Sequence, residues 1–205
     1  MKFNNIVDGI FSHSARVKIL RFLVNNETEM TGRELAGFCG VSHTQVYRSL
    51  DDIVLQGIVK MRRAGRSHLY SLNEKNIVVR DILGPFFKKE QNVLANTVKN
   101  LFGKISDKLL SLIIFGSMAD GTEKSSSDAD IFILVKDDKT KNLLERMLPD
   151  IEADFYEMSG SRLSPVVFTL PELKKSAGVN KTLLKKIFSG KIIMGVSPRE
   201  FIYGK

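Results

Sequence analysis

The chain has 205 residues, 43% apolar and 26% charged, with a net charge of +8: an ordinary globular composition with room for one large or two small domains, and a balance that favours an anionic partner. Its one cysteine, Cys39, excludes an intrachain disulfide and reads as a small buried residue in a reducing compartment. No apolar run approaches the roughly 18 residues of a membrane helix, and MKFNNIVDGIF at the start lacks the apolar stretch of a secretory signal, so a cytoplasmic protein with no membrane partner is expected.

Taken in order, Phe3, Ile6, Val7, Ile10 and Phe11 stand at helical spacing. From Ser14 a second helix carries the stripe Val17, Ile19, Leu20, Leu23 and Val24, with Arg16, Lys18 and Arg21 outside it, and ends at Asn25-Asn26. Thr31-Gly-Arg-Glu34 is a capping box opening a short helix that Gly40 stops. Ser42-His-Thr-Gln45 is a second one, opening a longer helix with Val46, Leu50, Ile53 and Val54 inward and Gly57 as its stop. The period then changes to alternation: Ile58 to Arg63, a turn at Ala64-Gly65-Arg66, and Ser67 to Leu72 predict a hairpin tipped with arginines.

Two short helices joined at Gly40 make a helix-turn-helix pattern. With the following hairpin, residues 14–73 resemble the winged-helix fold of prokaryotic transcription regulators. The resemblance implies a double-stranded DNA partner. His43, Thr44, Tyr47 and Arg48 of the recognition helix would meet base edges or phosphates, and Lys60, Arg62, Arg63 and Arg66 of the wing would touch the backbone or the adjacent minor groove. His43 and His68 lack companions at metal-ligand spacing.

Residues 74–104 read as a helical linker. Asn73 is its expected cap, Ile77, Val78, Ile82 and Leu83 form a stripe, and Gly84-Pro85 should break or kink it. A second helix carries Phe86, Phe87, Leu94, Val98, Leu101 and Phe102 on one side, a spacing that suits core or a dimer seam. A homodimer is therefore expected.

Leu112 to Lys136 then reads LIIFGSMADGTEKSSSDADIFILVK: an apolar run ending at Gly116-Ser117, a polar segment, and a second apolar run opened by Asp128 and Asp130. Alternation along a strand puts these two carboxylates on one face. Side by side they repel, so the pair makes most sense around a cation; Mg²⁺, which takes one or two carboxylates and completes its shell with water and phosphate oxygens, suits it. Gly116 allows a backbone to approach a phosphate closely, and Ser117 can cap the next helix with its N–H and hydroxyl towards an anion.

Gly-Ser, ten intervening residues and Asp-x-Asp resemble the signature of the polymerase-beta-type nucleotidyltransferases, most closely their minimal prokaryotic branch. That resemblance covers roughly residues 109–195. It implies NTP as ligand or substrate held by Gly116 and Ser117, with Asp128 and Asp130 as metal-binding catalytic residues. Lys139 to about Glu157 reads as a helix interrupted near Pro149, Pro165 to Thr169 as the third strand, Asn180 to Phe188 as a helix ending at Gly190, and Lys191 to Met194 as a last strand.

Active members of that family carry a third carboxylate on the third strand, where this chain offers Ser164, Pro165, Val166 and Val167. They also often have an Arg soon after the Gly-Ser, where Met118 stands here, and Asp120 adds negative charge nearby. Asp120, Glu152, Asp154 and Glu157 are the acids that folding could bring to the third position.

The expected class is α+β, with an N-terminal winged helix (1–73), a helical linker with a dimerisation role (74–104), and a C-terminal nucleotidyltransferase-like domain (105–205) built on a small mixed sheet with helices. Three functions fit: a Mg²⁺-dependent transferase moving a nucleoside monophosphate, a DNA-binding regulator that senses nucleotide without turnover, and a regulator whose second half only docks partners.

Overall fold

A computed structural model describes residues 5–204 and divides the chain into two compact units, Met1–Asn92 and Val93–Lys205. Phe3, which the spacing assigns to the first helix, lies outside the described residues.

The first unit runs α1 (Ile6–Phe11), α2 (Ser14–Asn26), β1 (Met30–Thr31), α3 (Gly32–Cys39), α4 (His43–Leu55), β2 (Val59–Ala64) and β3 (Ser67–Leu72). The strands pair antiparallel in the order β1-β3-β2. This is a winged helix, with β2 and β3 as the wing and α3-turn-α4 as the helix-turn-helix.

Both predicted capping boxes form. The Thr31 hydroxyl accepts from the Glu34 N–H while the Glu34 carboxylate accepts from the Thr31 N–H, and Ser42 and Gln45 repeat the arrangement. Gly40 takes a left-handed φ of 61°, which lets the chain turn between α3 and α4. The core beneath holds Ile19, Leu20, Leu23, Leu35, Leu50 and Ile53, each fully buried.

Four details differ from the sequence reading. Arg16 is buried, because its guanidinium donates to the Gly9 carbonyl oxygen and to Asp52 of α4 and so ties α1 and α4 to α2. Cys39 is half-buried rather than buried, with desolvation pushing its thiol upward. The cap of the helical segment after β3 is Asn76, whose Oδ1 accepts from the Val78 and Val79 N–H groups, while the Asn73 amide donates to the Gly57 carbonyl.

The fourth concerns Gly84-Pro85, which does not break the helix. A π turn at Val79–Leu83 leads straight into α5 (Gly84–Leu101), with the Gly84 N–H bonded to the Val79 carbonyl. The widened turn accommodates Pro85, which has no N–H to donate and would crowd an ordinary α turn. It also moves the buried stripe: Val78, Val79 and Leu83 are inside, whereas Ile77 and Ile82 are exposed.

The second unit follows as β4 (Leu109–Phe115), α6 (Ser117–Asp120), β5 (Ala129–Val135), α7 (Asp138–Ser159), β6 (Leu163–Thr169), α8 (Leu170–Ser176), α9 (Lys181–Ser189), β7 (Lys191–Gly195) and α10 (Pro198–Tyr203). Its mixed sheet has the order β6-β5-β4-β7, with β5 and β6 parallel and the other pairs antiparallel.

Alternation divides this sheet cleanly. Ile131, Ile133 and Val135 pack with Leu144, Leu148, Ile151 and Phe155 of α7 on one face. Phe132 and Leu134 pack with Leu173 of α8 and with Leu184 and Ile187 of α9 on the other. The α7 helix runs unbroken through Pro149, and α8 and α10 are additions to the sequence reading.

The first unit thus rests on local caps as well as burial. Replacing Ser42 with Ala removes the acceptor for the Gln45 N–H and should lower the stability of this unit by about 1 kcal/mol in urea denaturation. An unchanged midpoint would show that the cap contributes nothing there.

Candidate nucleotide site and nucleic-acid interface

In the second unit β4 ends at Phe115, whose register partner on β5 is Asp130. Gly116 follows with φ 72° and ψ −156°, a backbone conformation open to glycine, and a Cβ there would stand 2.4 Å from the Asp130 Oδ2. The carboxylate thus occupies the space a side chain at residue 116 would fill. Ser117 starts α6 immediately beyond, so the two halves of the sequence motif meet in space.

Asp128 and Asp130 bracket the fully buried Ala129; alternation from Phe132 puts Asp130 on the α8–α9 face, and Asp128 stands immediately before β5, near enough for its charge to act on Asp130. Asp128 is exposed and Asp130 half-buried. Burial, then the neighbouring Asp128 charge, pushes the Asp130 carboxyl above the usual carboxylate range, and Lys186 of α9 partly opposes them. Sequence reasoning missed Lys186, since it lies on a helix that only tertiary packing brings to the acids.

β6 supplies no acid to this face. The register partner of Asp130 is Ser164, and Val166 lies opposite Phe132. Glu152, Asp154 and Glu157 belong to α7, which packs on the opposite face of the sheet. Among the described residues no three His, Cys, Asp or Glu side chains cluster as a metal site, so Asp120 does not complete a triad.

The donor set nevertheless fits Mg²⁺: two acids stand close enough to repel, Asp130 is disfavoured as a lone charge, and a Cβ-free corner stands beside it. Asp128 also borders a cleft of about 350 Å³ lined by Ser127, Tyr156 and Arg162.

In the first unit His43, Thr44, Tyr47 and Arg48 are all exposed on the N-terminal half of α4, opposite the buried Val46 and Leu50. Tyr47 also serves packing, since a Cβ on Gly32 would come within 3.0 Å of its ring. Lys60, Arg62, Arg63 and Arg66 are exposed on the wing, but alternation sends Lys60 and Arg62 to one face and Arg63 to the other. The Arg62 guanidinium is engaged with Glu29, its Nε lying 2.9 Å from Oε2, and this pairing holds the Glu29 carboxyl below its ordinary range.

Comparison with known proteins bears on the second unit directly. Residues 96–197 match the family model described as "Polymerase beta, Nucleotidyltransferase". This part of the chain belongs to that family. A protein of Methanocaldococcus jannaschii named "Putative protein adenylyltransferase MJ1305" is 31% identical over 81 residues, which are 39% of this chain and 55% of that protein. The match thus spans about half the length of that relative.

Among solved structures, a predicted DNA-binding transcriptional regulator from E. coli is 23% identical, with TM-score 0.36, over 43% of this chain and 84% of its own. A homodimeric winged helix-turn-helix domain from Mycobacterium bovis is 20% identical, with TM-score 0.34, over 46% of this chain and 80% of its own. No helix among the described residues is long and apolar enough to cross a membrane.

The raised Asp130 carboxyl has a consequence for stability. Its charged form is disfavoured in the fold, so wild type binds the proton more tightly folded than unfolded, and the penalty operates above the folded pKa. Asp130→Asn should therefore raise the melting temperature of the second unit at pH 7. The gain should disappear as pH falls below the unfolded Asp value of about 3.9. A variant that melts lower at pH 7 would contradict this electrostatic picture.

Proposed function

We propose that the protein is a homodimeric DNA-binding regulator whose nucleotidyltransferase domain binds Mg²⁺–NTP at Gly116, Ser117, Asp128 and Asp130 and senses it without turnover. The observation that carries this reading is the carboxylate pair seated against the glycine corner while Ser164 stands opposite Asp130. Such a face can hold a metal-bound polyphosphate, but it offers no third acid to take the proton from an attacking hydroxyl. General-base help of that kind is typically worth about 10²- to 10⁴-fold.

In this reading Asp128 and Asp130 hold the ion, which supplies positive charge to the polyphosphate when bound. The Ser117 N–H and hydroxyl donate to the adjoining phosphate, and the bare Gly116 backbone leaves it room.

The DNA half would place α4 in the major groove, with His43, Thr44, Tyr47 and Arg48 at base edges or phosphates, and the wing cations along the backbone. Phe11 and Phe86, whose rings meet edge-on at 5.3 Å within the chain, stay exposed on their outer side, a surface that pairing of two copies would cover. Similarity to a relative named as a protein adenylyltransferase favours a second reading, transfer of a nucleoside monophosphate to a protein.

Calorimetry with ATP and Mg²⁺ should show binding by wild type and none by Asp128→Ala/Asp130→Ala, while labelled ATP leaves no label on protein in a cell extract. Label transferred by wild type and not by the double variant would establish the second reading instead. An absence of binding would leave the domain as a docking module.

For the DNA half, Arg63→Ala with Arg66→Ala should weaken binding to duplex DNA and lower the salt slope by about 1 for each phosphate no longer neutralised. Glu29→Ala, which frees Arg62, should tighten binding by a dimer-sized species in sedimentation. Unchanged affinity in both variants, or a monomeric mass where DNA is bound, would remove the wing or the dimer from the account.

A further inference from the structure

The second unit is electrically two-sided. Between Leu170 and Lys191 the chain has six lysines and a single acid, Glu172, so this stretch carries five of the chain's eight net positive charges. Glu172 is already engaged: its carboxylate accepts from the Lys141 ammonium at 2.8 Å and from the Thr169 N–H at the cap of α8. The α7 helix, on the opposite face of the sheet, has three cations and six acids. Solubility asks only for both signs interspersed; here they are sorted by face.

Packing fixes which way these charges point. Leu173 of α8 and Leu184 and Ile187 of α9 bury in one apolar cluster against the sheet. Helical periodicity then turns Lys181, Thr182, Lys185 and Lys186 to the outward side of α9, where all four are exposed. Lys174 and Lys175, in the last turn of α8, are exposed as well. Among the described residues no carboxylate comes within ion-pair distance of any of these five lysines.

Five uncommitted ammonium groups on two successive helices fit a polyanion. The outward side of α9 offers no apolar side chain for insertion among lipid headgroups. Lysine is also depleted from the buried centres of protein interfaces, which take aromatic side chains, Met and Arg instead. A phosphodiester backbone needs neither, since each lysine neutralises a phosphate as a point charge and releases its counterions.

We propose that the outward side of α8 and α9 is a second, sequence-independent surface for duplex DNA, contacting the phosphate backbone in addition to the winged helix of the first unit. This rests on the DNA-binding reading above: a duplex held by the winged helix meets the tethered second unit at high effective concentration. The two contacts differ in signature. The recognition helix reads sequence, whereas removing lysines from phosphates weakens binding to every duplex alike and flattens its salt dependence.

The test is fluorescence anisotropy of the full chain with labelled duplexes of unrelated sequence across a salt series. Wild type is compared with Lys181→Gln/Lys185→Gln/Lys186→Gln, with the same three residues changed to Arg, and with Lys108→Gln/Lys139→Gln/Arg146→Gln, which removes equal charge elsewhere on the second unit. The first triple variant should bind every duplex about tenfold more weakly at low salt and lose about 0.9 of salt slope for each phosphate no longer neutralised. The arginine variant should bind as wild type, and the control should stay near it. Duplex DNA should also shield Lys181, Lys185 and Lys186 of wild type from acetylation. If the α9 glutamine variant matches the control in affinity and slope, or the three lysines stay reactive in the complex, this face is not a DNA surface although the DNA-binding reading stands. A lysine-dependent difference seen with an RNA hairpin and not with duplex DNA would make RNA the occupant and overturn the proposal. If wild type binds no duplex at all, the DNA-binding reading fails and takes this inference with it.

Discussion

The site in the second unit depends on the Asp130 carboxylate lying where a side chain at residue 116 would be. Everything nearby serves that close approach. The β4–β5 register sets Asp130 opposite Phe115, the left-handed φ of Gly116 turns the chain away at that point, and Asp128 stands just before β5 within electrostatic reach of Asp130. The apolar layers on both sides of the sheet hold the register, since a one-residue slip of β5 would carry Asp130 to the α7 side. The resulting charge crowding is disfavoured for an empty protein, an arrangement found where a site is shaped for a ligand rather than for stability.

Features encoded within a few residues were legible in the sequence, and features that depend on distant partners were not. The two capping boxes, the stops at Gly40 and Gly57, the wing and the Gly116/Asp130 corner are written in local spacing, and the fold realises them. Arg16 looked like an outward-facing charge because its partner Asp52 lies on another helix, and Lys186 looked like one more surface lysine because its relation to Asp130 exists only after α9 docks. Some misses had readable signals. Thr169-Leu-Pro-Glu172 is a capping box with proline in the first turn, and it opens α8. The π turn before Pro85 had none: a stripe counted at ordinary helical period names Ile77 and Ile82, and the widened turn substitutes Val79.

The two units give a division of labour that matches the proposal. The first is a winged helix with His43, Thr44, Tyr47 and Arg48 exposed on α4 and a wing whose Arg62 is held by Glu29. Such an exposed pair contributes little to stability, so its effect would fall on the availability of Arg62 to a phosphate. The second unit is a nucleotidyltransferase domain whose acid pair is in place and whose third strand presents serine and valine to it. An acid pair that would hold metal without a general base beside it suits the proposed nucleotide sensor. A transferase would require one group more.

The most direct test of the central claim is a crystal structure of the full chain grown with Mn²⁺ and a non-hydrolysable NTP analogue, read by anomalous scattering. A manganese peak is expected between the Asp128 and Asp130 carboxylates, with the polyphosphate running from it to Ser117. A peak bound elsewhere, or a site left without metal and nucleotide at saturating concentrations of both, would contradict it.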